Sequence, residues 1–328
     1  MLEHGGGILR AAQQYGIPVN DWLDLSTGLN PQGWPVPASS PRSWQRLPEQ
    51  DDGLEQAAAD YYGSPLLLPV AGSQPAIQLL PTLRPPCRVG MLPLCYAEHP
   101  WHWEQHGHSL SRHAAADIDA AIDELDVLLL CHPNNPTGTI FPREQLACWR
   151  ARLASRGGWL IIDEAFMDAT PDDSLLGDVG LPGLIVLRSV GKFFGLAGAR
   201  VGFVFAWPAL LQQLAEAIGP WSINGPAREA VKLALQDRSW QQAMRAQLAS
   251  DSQRLQQLLC QHGLTPAGGS CLFQWLQGAY CPALFDFLAR QGILLRQFAD
   301  GPSLRFGLPP DEAGWQRLET ALAQWEKP

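Results

Sequence analysis

Lys192 stands in RSVGKFFGLAGARVGF (188–203), among glycines, alanines and large apolar side chains, with Arg200 eight positions further on. Lysine is seldom buried unless something compensates for its charge. In an apolar pocket the amine loses its proton more readily and becomes a nucleophile toward an aldehyde. Ser189 and Arg200 flank it and suit a phosphate, and the glycines at 191, 195, 198 and 202 let backbone approach closely. Alone, the stretch would equally house a snorkelling lysine.

Three other short stretches offer partners for the same ligand. In AGSQPAIQLL (71–80), Gly72 and Ser73 precede a helical pattern. Backbone N–H groups and a hydroxyl at a helix start suit a phosphate, or simply cap the helix. HPNNPTG (132–138) directly follows the apolar run DVLLLC. Its Pro, Asn and Gly residues make a turn, and asparagines at the end of a strand lie where open α/β sheets bind ligands. In IIDEAF (161–166), Asp163 ends a strongly apolar strand, so its carboxylate needs a cationic or donor partner. A pyridinium N–H would serve, as would an N-cap or a salt bridge. Phosphate donors, a carboxylate for a ring nitrogen, an asparagine for a ring hydroxyl and a lysine for an aldehyde are together what pyridoxal phosphate requires.

The elements that must position these groups read as alternating strands and helices. RVGML (88–92), DVLLLC (126–131), WLIIDEAF (159–166), GLIVLRSV (183–190) and ARVGFVFA (199–206) are apolar without alternation, the pattern of strands covered on both faces. Helical patterns near 97–107 and 142–155 separate them. An α/β fold with a mostly parallel central sheet follows. Beyond residue 207 the texture changes: 226–263 reads as one long helix ending at Gly263, followed by LFQWL, ILLRQF and SLRFGL. We expect an arm and loops over 1–45, packing with the small domain, a large domain over 46–207, and an interdomain helix with a small α+β domain over 208–328.

Composition narrows the function class. Of 328 residues 17% are charged, against roughly 25% for an average soluble domain. The formal charge is −9 and there is no basic run, which excludes nucleic acid as a partner. The seven cysteines include no CxxC pair, and the N-terminus carries no apolar leader, so reduced thiols and a cytoplasmic location are expected. No apolar run approaches the roughly 20 residues of a membrane span. His99, His102 and His106 fall on roughly one helical face, but Trp101 and Trp103 among them suggest packing, and no metal is expected. His99, three residues past Tyr96, is a candidate partner for Asp163.

NNPTG, DEAF and SVGKFFGLAGARVGF together resemble the fold-type I pyridoxal-phosphate enzymes of the aminotransferase class I/II superfamily. The resemblance implies pyridoxal 5'-phosphate as cofactor, with its aldehyde on Lys192. It implies Asp163 at the pyridine nitrogen, Asn135 at the ring hydroxyl, and Tyr96 stacked on the ring. Gly72, Ser73, Gln74, Ser189 and Arg200 would hold the cofactor phosphate. Arg305 in SLRFG would bind the substrate α-carboxylate.

The ends carry a closer likeness. HGGGILRAAQQYG (4–16), WLDLSTGLNPQG (22–33), CYAEH and GPWSINGPAREAVKLAL (219–235) resemble the threonine-phosphate decarboxylases of cobalamin biosynthesis, essentially from end to end. That likeness implies decarboxylation of L-threonine O-3-phosphate by a homodimer. His4, Gly5, Gly6 and Arg296 would take the substrate phosphate, and Asn135 would also face the substrate. Three positions depart from what many relatives carry: Phe166 in place of a tyrosine, Leu47 before Pro48 in place of a tyrosine, and Gly28 in place of an asparagine. Histidinol-phosphate aminotransferase is the alternative activity on the same fold. A cofactor-free scaffold of the corrinoid pathway is a third reading, which the joint presence of Lys192, Asp163 and Arg200 disfavours.

Overall fold

A computed structural model describes residues 4–298 and 301–326. The chain forms two units, one of Trp34–Asn135 with Ile140–Gln242, the other of Met1–Gly33, Pro136–Thr139 and Ala243–Pro328.

The larger unit is built on seven strands: β1 (Leu67–Val70), β2 (Arg88–Met91), β3 (Ser109–Arg112), β4 (Val127–Cys131), β5 (Trp159–Asp163), β6 (Leu184–Ser189) and β7 (Gly202–Phe205). Their order across the sheet is β1-β7-β6-β5-β4-β2-β3. Pairing is parallel from β6 through β3, and antiparallel on both sides of β7. Every residue of β4, β5, β6 and β7 is buried, which is why those runs are apolar without alternation. On one face Val127, Leu129, Ile161, Ile185, Leu187 and Val204 pack with Trp103 in a single core.

The smaller unit holds an antiparallel sheet of β8 (Gly268–Ser270), β9 (Phe273–Gln277), β10 (Arg296–Phe298) and β11 (Ser303–Gly307), ordered β10-β11-β9-β8. Leu23–Asp24 pairs in parallel with Ile293–Leu294 beside it. Residues 8–15, expected as part of a loop-like arm, form the helix Ile8–Tyr15. Gly16 ends it at φ 69°, and Ala11 packs with Trp22, Ala289 and Leu294.

The single helix expected over 226–263 is two, Gly225–Gln236 and Arg238–Gln261. Asp237 is the cause. Its carboxylate accepts the backbone N–H of Trp240 at 3.0 Å, capping the second helix, and the Trp34 indole N–H at 3.1 Å. The last strand of the large sheet also starts later than 199. Ala197–Ala199 is a 3₁₀ turn, and Arg200 takes a left-handed φ of 53° before β7 begins. Among the described residues no helix is long and apolar enough to cross a membrane.

Candidate active site

The topology brings the chemistry to one edge. In a parallel set all C-terminal ends lie together, and ligands of open α/β sheets bind there. Cys131, Asp163 and Ser189 end β4, β5 and β6, and Tyr96 lies in the segment after β2. Because β7 runs the other way, its start meets the same edge. Gly202 is in register with Ser189 on one side and Val70 on the other, so Arg200, Ser189 and the turn after β1 converge. One pocket in the larger unit is lined by Ser73, Gln74, Tyr96, Asn135, Asp163, Ser189, Lys192 and Arg200. Eight of the sequence-derived residues thus share one site. Cys131, Ala165 and Phe166 complete its wall.

Three of the lining residues carry groups that suit an anion. Ser73, Ser189 and Arg200 contribute two hydroxyls and a guanidinium, and Arg200 also donates to the Ala197 carbonyl at 3.3 Å. The glycines provide clearance. Gly72 has φ +75°, and a Cβ there would lie 2.7 Å from Arg200 Nη2. A Cβ on Gly202 would meet the Ser73 amide nitrogen at 2.9 Å. Gly72 therefore serves by leaving room for Arg200. Gln74 lines the pocket, but its side-chain N–H donates to Glu98 Oε2 at 2.6 Å. Gly72→Ala is expected to cost about 1–2 kcal/mol of stability from its left-handed φ. It should also weaken cofactor affinity by displacing Arg200; a titration matching wild type would contradict that.

Asp163, also in the pocket lining, is 5% exposed. Its Oδ1 accepts the Ala165 N–H at 3.0 Å, and its Oδ2 lies 2.9 Å from His99 Nε2. His99 is 1% exposed, on the helix Glu98–Gln105. Burying a carboxylate is costly unless it is paired, and these two contacts supply partners and fix its direction. His102 and His106 turn elsewhere, to Glu98 Oε2 at 3.1 Å and to the His102 carbonyl at 2.7 Å. His99, Cys131 and Asp163 do place potential ligand atoms within 4.8 Å of one another. That trio comes from three elements, so helical spacing could not reveal it. Burial and the charge of Asp163 push the Cys131 thiol well up, which keeps it protonated.

The two asparagines of HPNNPTG divide the work. Asn134 is fully buried and donates to the Leu94 carbonyl at 2.9 Å, tying this turn to the segment that carries Tyr96, while Asn135 faces the pocket. Burial above all, with Glu98 and Asp163 nearby, pushes the Tyr96 phenol up to about 12, so it is neutral at physiological pH. Lys192 Nζ lies 5.4 Å from the centroid of the Phe166 ring. Two hydroxyls and a guanidinium, a buried carboxylate, an aromatic ring, an asparagine and an amine lining one pocket fit pyridoxal phosphate.

The remaining candidates lie in the smaller unit. Arg305 is 7% exposed, and its Nη2 donates to the Ser26 carbonyl at 2.8 Å. Its guanidinium lies 5.2 Å from the Phe273 ring and 6.0 Å from that of Phe298. Arg296 is its register partner across β10 and β11, and lies 5.3 Å from the same Phe298 ring. The N-terminal glycines are anchored: the Gly6 N–H donates to Ser26 Oγ at 2.7 Å, and a Cβ on Gly5 would collide with the Ser26 carbonyl. His4 is exposed. Ser26, held by Asp24 at 2.6 Å, therefore joins the HGGG segment to Arg305. Sequence reasoning missed it, because its position depends on Leu23–Asp24 pairing with Ile293–Leu294.

The model of the family described as aminotransferase class I and II matches residues 20–318. A threonine-phosphate decarboxylase of Pseudomonas aeruginosa is 55% identical over 328 residues, 100% of this chain and 99% of that one. One of a Sinorhizobium species is 42% identical, covering 99% and 98%. The crystal structure of a histidinol-phosphate aminotransferase from Sinorhizobium meliloti, in complex with pyridoxal-5'-phosphate, superposes with a TM-score of 0.82 at 22% identity, over 96% of this chain and 93% of that one. The chain belongs to the aminotransferase class I and II family.

Proposed function

We propose that the chain binds pyridoxal 5'-phosphate in this pocket and decarboxylates L-threonine O-3-phosphate to (R)-1-amino-2-propanol O-2-phosphate, a step of cobalamin biosynthesis. The full-length relationship to the Pseudomonas aeruginosa decarboxylase carries the reading. The likeness to the histidinol-phosphate aminotransferase, at 22% identity, speaks for the fold alone.

When bound, pyridoxal phosphate supplies an electron sink for the pair left on Cα as CO₂ departs. The chain does the rest. Ser73, Ser189 and Arg200 would hold the cofactor phosphate, Asn135 the ring hydroxyl, and Tyr96 would cover the ring. Asp163, held in direction by His99 and the Ala165 N–H, would accept the ring N–H and favour the protonated nitrogen. Lys192 would hold the aldehyde, and its amine, once freed, would carry a proton to Cα. Arg305 takes the α-carboxylate and Arg296 the substrate phosphate, with His4, Gly5 and Gly6 at the same group. Two clamped anions fix the torsion about Cα, and that torsion selects which bond breaks.

Arg296→Ala is expected to lower kcat/KM for L-threonine O-3-phosphate roughly 10–100-fold, mostly through KM, as loss of a charge-assisted hydrogen bond does. Wild-type kinetics in that variant would remove Arg296 from the phosphate site. The function itself is tested by offering the holoenzyme L-threonine O-3-phosphate and L-threonine side by side. CO₂ release from the first alone supports it, and equal rates would overturn the phosphorylated substrate.

The homodimer and the cytoplasmic location belong to the same proposal. Trp44, Leu47 and Trp221 are 70%, 63% and 60% exposed on the larger unit, an apolar surface suited to a second copy. None of the seven cysteines is in a disulfide, which accords with a reducing compartment.

A further inference from the structure

Beneath the pocket lies a buried ion network that the reaction does not use. Glu164 is 0% exposed and Arg188 2% exposed, with Arg188 Nη2 3.1 Å from Glu164 Oε2. Arg188 Nη1 lies 3.2 Å from Asp168 Oδ1, and Nη2 donates to Ser174 Oγ at 2.9 Å. Glu164 accepts from Ser174 Oγ at 2.7 Å and from the Leu175 N–H at 2.8 Å. Tyr61 donates to Asp168 Oδ1 at 3.3 Å, and the Arg188 guanidinium lies 5.1 Å from the Tyr62 ring. Burial raises the Glu164 carboxyl against the opposing pull of Arg188.

Its place in the chain is what matters. Glu164 immediately follows Asp163, and Arg188 immediately precedes Ser189. Side chains alternate across a strand. Asp163 and Ser189 face the pocket, so their neighbours face the other side of the sheet. The Glu164 N–H also donates to the Leu187 carbonyl at 2.9 Å, continuing the β5–β6 ladder at this point. The ion pair thus joins the residue behind the ring-nitrogen carboxylate to the residue behind a phosphate hydroxyl, three positions before Lys192. Two buried charges are a poor way to gain stability, since an apolar replacement is often neutral or better. They are a good way to fix where two strand ends stop.

We propose that Glu164 and Arg188 are positioning residues: their ion pair, braced by Ser174 and Asp168, sets the spacing between Asp163 and Ser189 and so the fit of the cofactor. This rests on the pyridoxal-phosphate reading and is independent of which substrate is decarboxylated.

The test titrates apo protein with pyridoxal 5'-phosphate, well below the melting temperature, for wild type, Glu164→Gln, Arg188→Met and Arg188→Lys. Displacing a ligand-bearing strand end is costly, so Glu164→Gln and Arg188→Met are expected to weaken cofactor binding about tenfold or more. In saturating cofactor they should lower kcat with KM nearly unchanged. Arg188→Lys keeps a buried cation and should recover part of the affinity. A purely structural role predicts a lower apo melting temperature with wild-type affinity and kcat, and that result in any folded variant overturns the proposal. Should Glu164→Gln fail to fold, Arg188→Lys decides by the same readouts. Wild-type protein that does not bind the cofactor would sink the cofactor reading itself, a result distinct from variants that bind as well as wild type.

Discussion

Lys192→Ala is expected to abolish turnover, with kcat falling roughly ten-thousand-fold or more, as when a covalent participant is removed. In the proposed function the side chain has two tasks at one atom: Nζ would hold the cofactor aldehyde and later move a proton. No other amine lines the pocket. Fold stability should scarcely change, because Lys192 is only half-buried and the anchoring of its loop comes from its neighbours. Phe193 and Phe194 are fully buried, their rings 5.4 and 5.7 Å from that of Trp240. The Phe194 carbonyl accepts the Trp34 N–H at 2.9 Å. Borohydride should fix the cofactor to the wild-type peptide containing residue 192 and leave the variant unlabelled. A labelled variant, or one that retains turnover, would move the covalent site elsewhere.

Asp163→Asn should have the next largest effect. The substitution keeps the shape and the possibility of accepting the Ala165 N–H, but removes the buried charge that His99 faces at 2.9 Å. A neutral amide cannot keep the ring nitrogen protonated. We expect kcat to fall about 10²–10³-fold, the range seen when one electrostatic contact to the reacting system is lost. Cofactor binding should weaken less, because Ser73, Ser189 and Arg200, the proposed phosphate partners, are untouched. The difference spectrum of bound cofactor against pH reports the change directly. Spectra and kcat like those of wild type would mean that Asp163 does not serve the ring.

How much of this was legible in the sequence depended on how local each feature is. The buried strands announced themselves, since a strand covered on both faces is apolar along most of its length, and β4 through β7 are buried throughout, with polar residues confined to the C-terminal ends of β5 and β6. The pocket residues were legible because each lies within a few positions of a strand end. His99 could be singled out because it follows Tyr96 by three residues on a short helix. The break at Asp237 was misread, although an aspartate that caps the N–H three residues ahead is a local signal. Apolar periodicity continued on both sides and masked it.

Other features were out of reach because they exist only after distant segments meet. Ser26 gains its role from a carbonyl aimed at Arg305, 279 residues away. Nothing in SLRFG or ILLRQF says that Arg296 and Arg305 are register partners; that follows from the pairing of β10 with β11. The Glu164–Arg188 pair likewise hid in two motifs already assigned to the cofactor. Each is the out-of-pocket neighbour of a residue that the motif explains, and the sequence offers no reason to connect them.

The central claim is that the carboxylate leaves while the amine stays. The direct measurement supplies holoenzyme with L-threonine O-3-phosphate labelled at the carboxyl carbon and follows label and amine together. Labelled CO₂ and (R)-1-amino-2-propanol O-2-phosphate are expected in equal amounts, with no keto acid. Label retained in a keto acid, alongside glutamate formed from histidinol phosphate and 2-oxoglutarate, would contradict it.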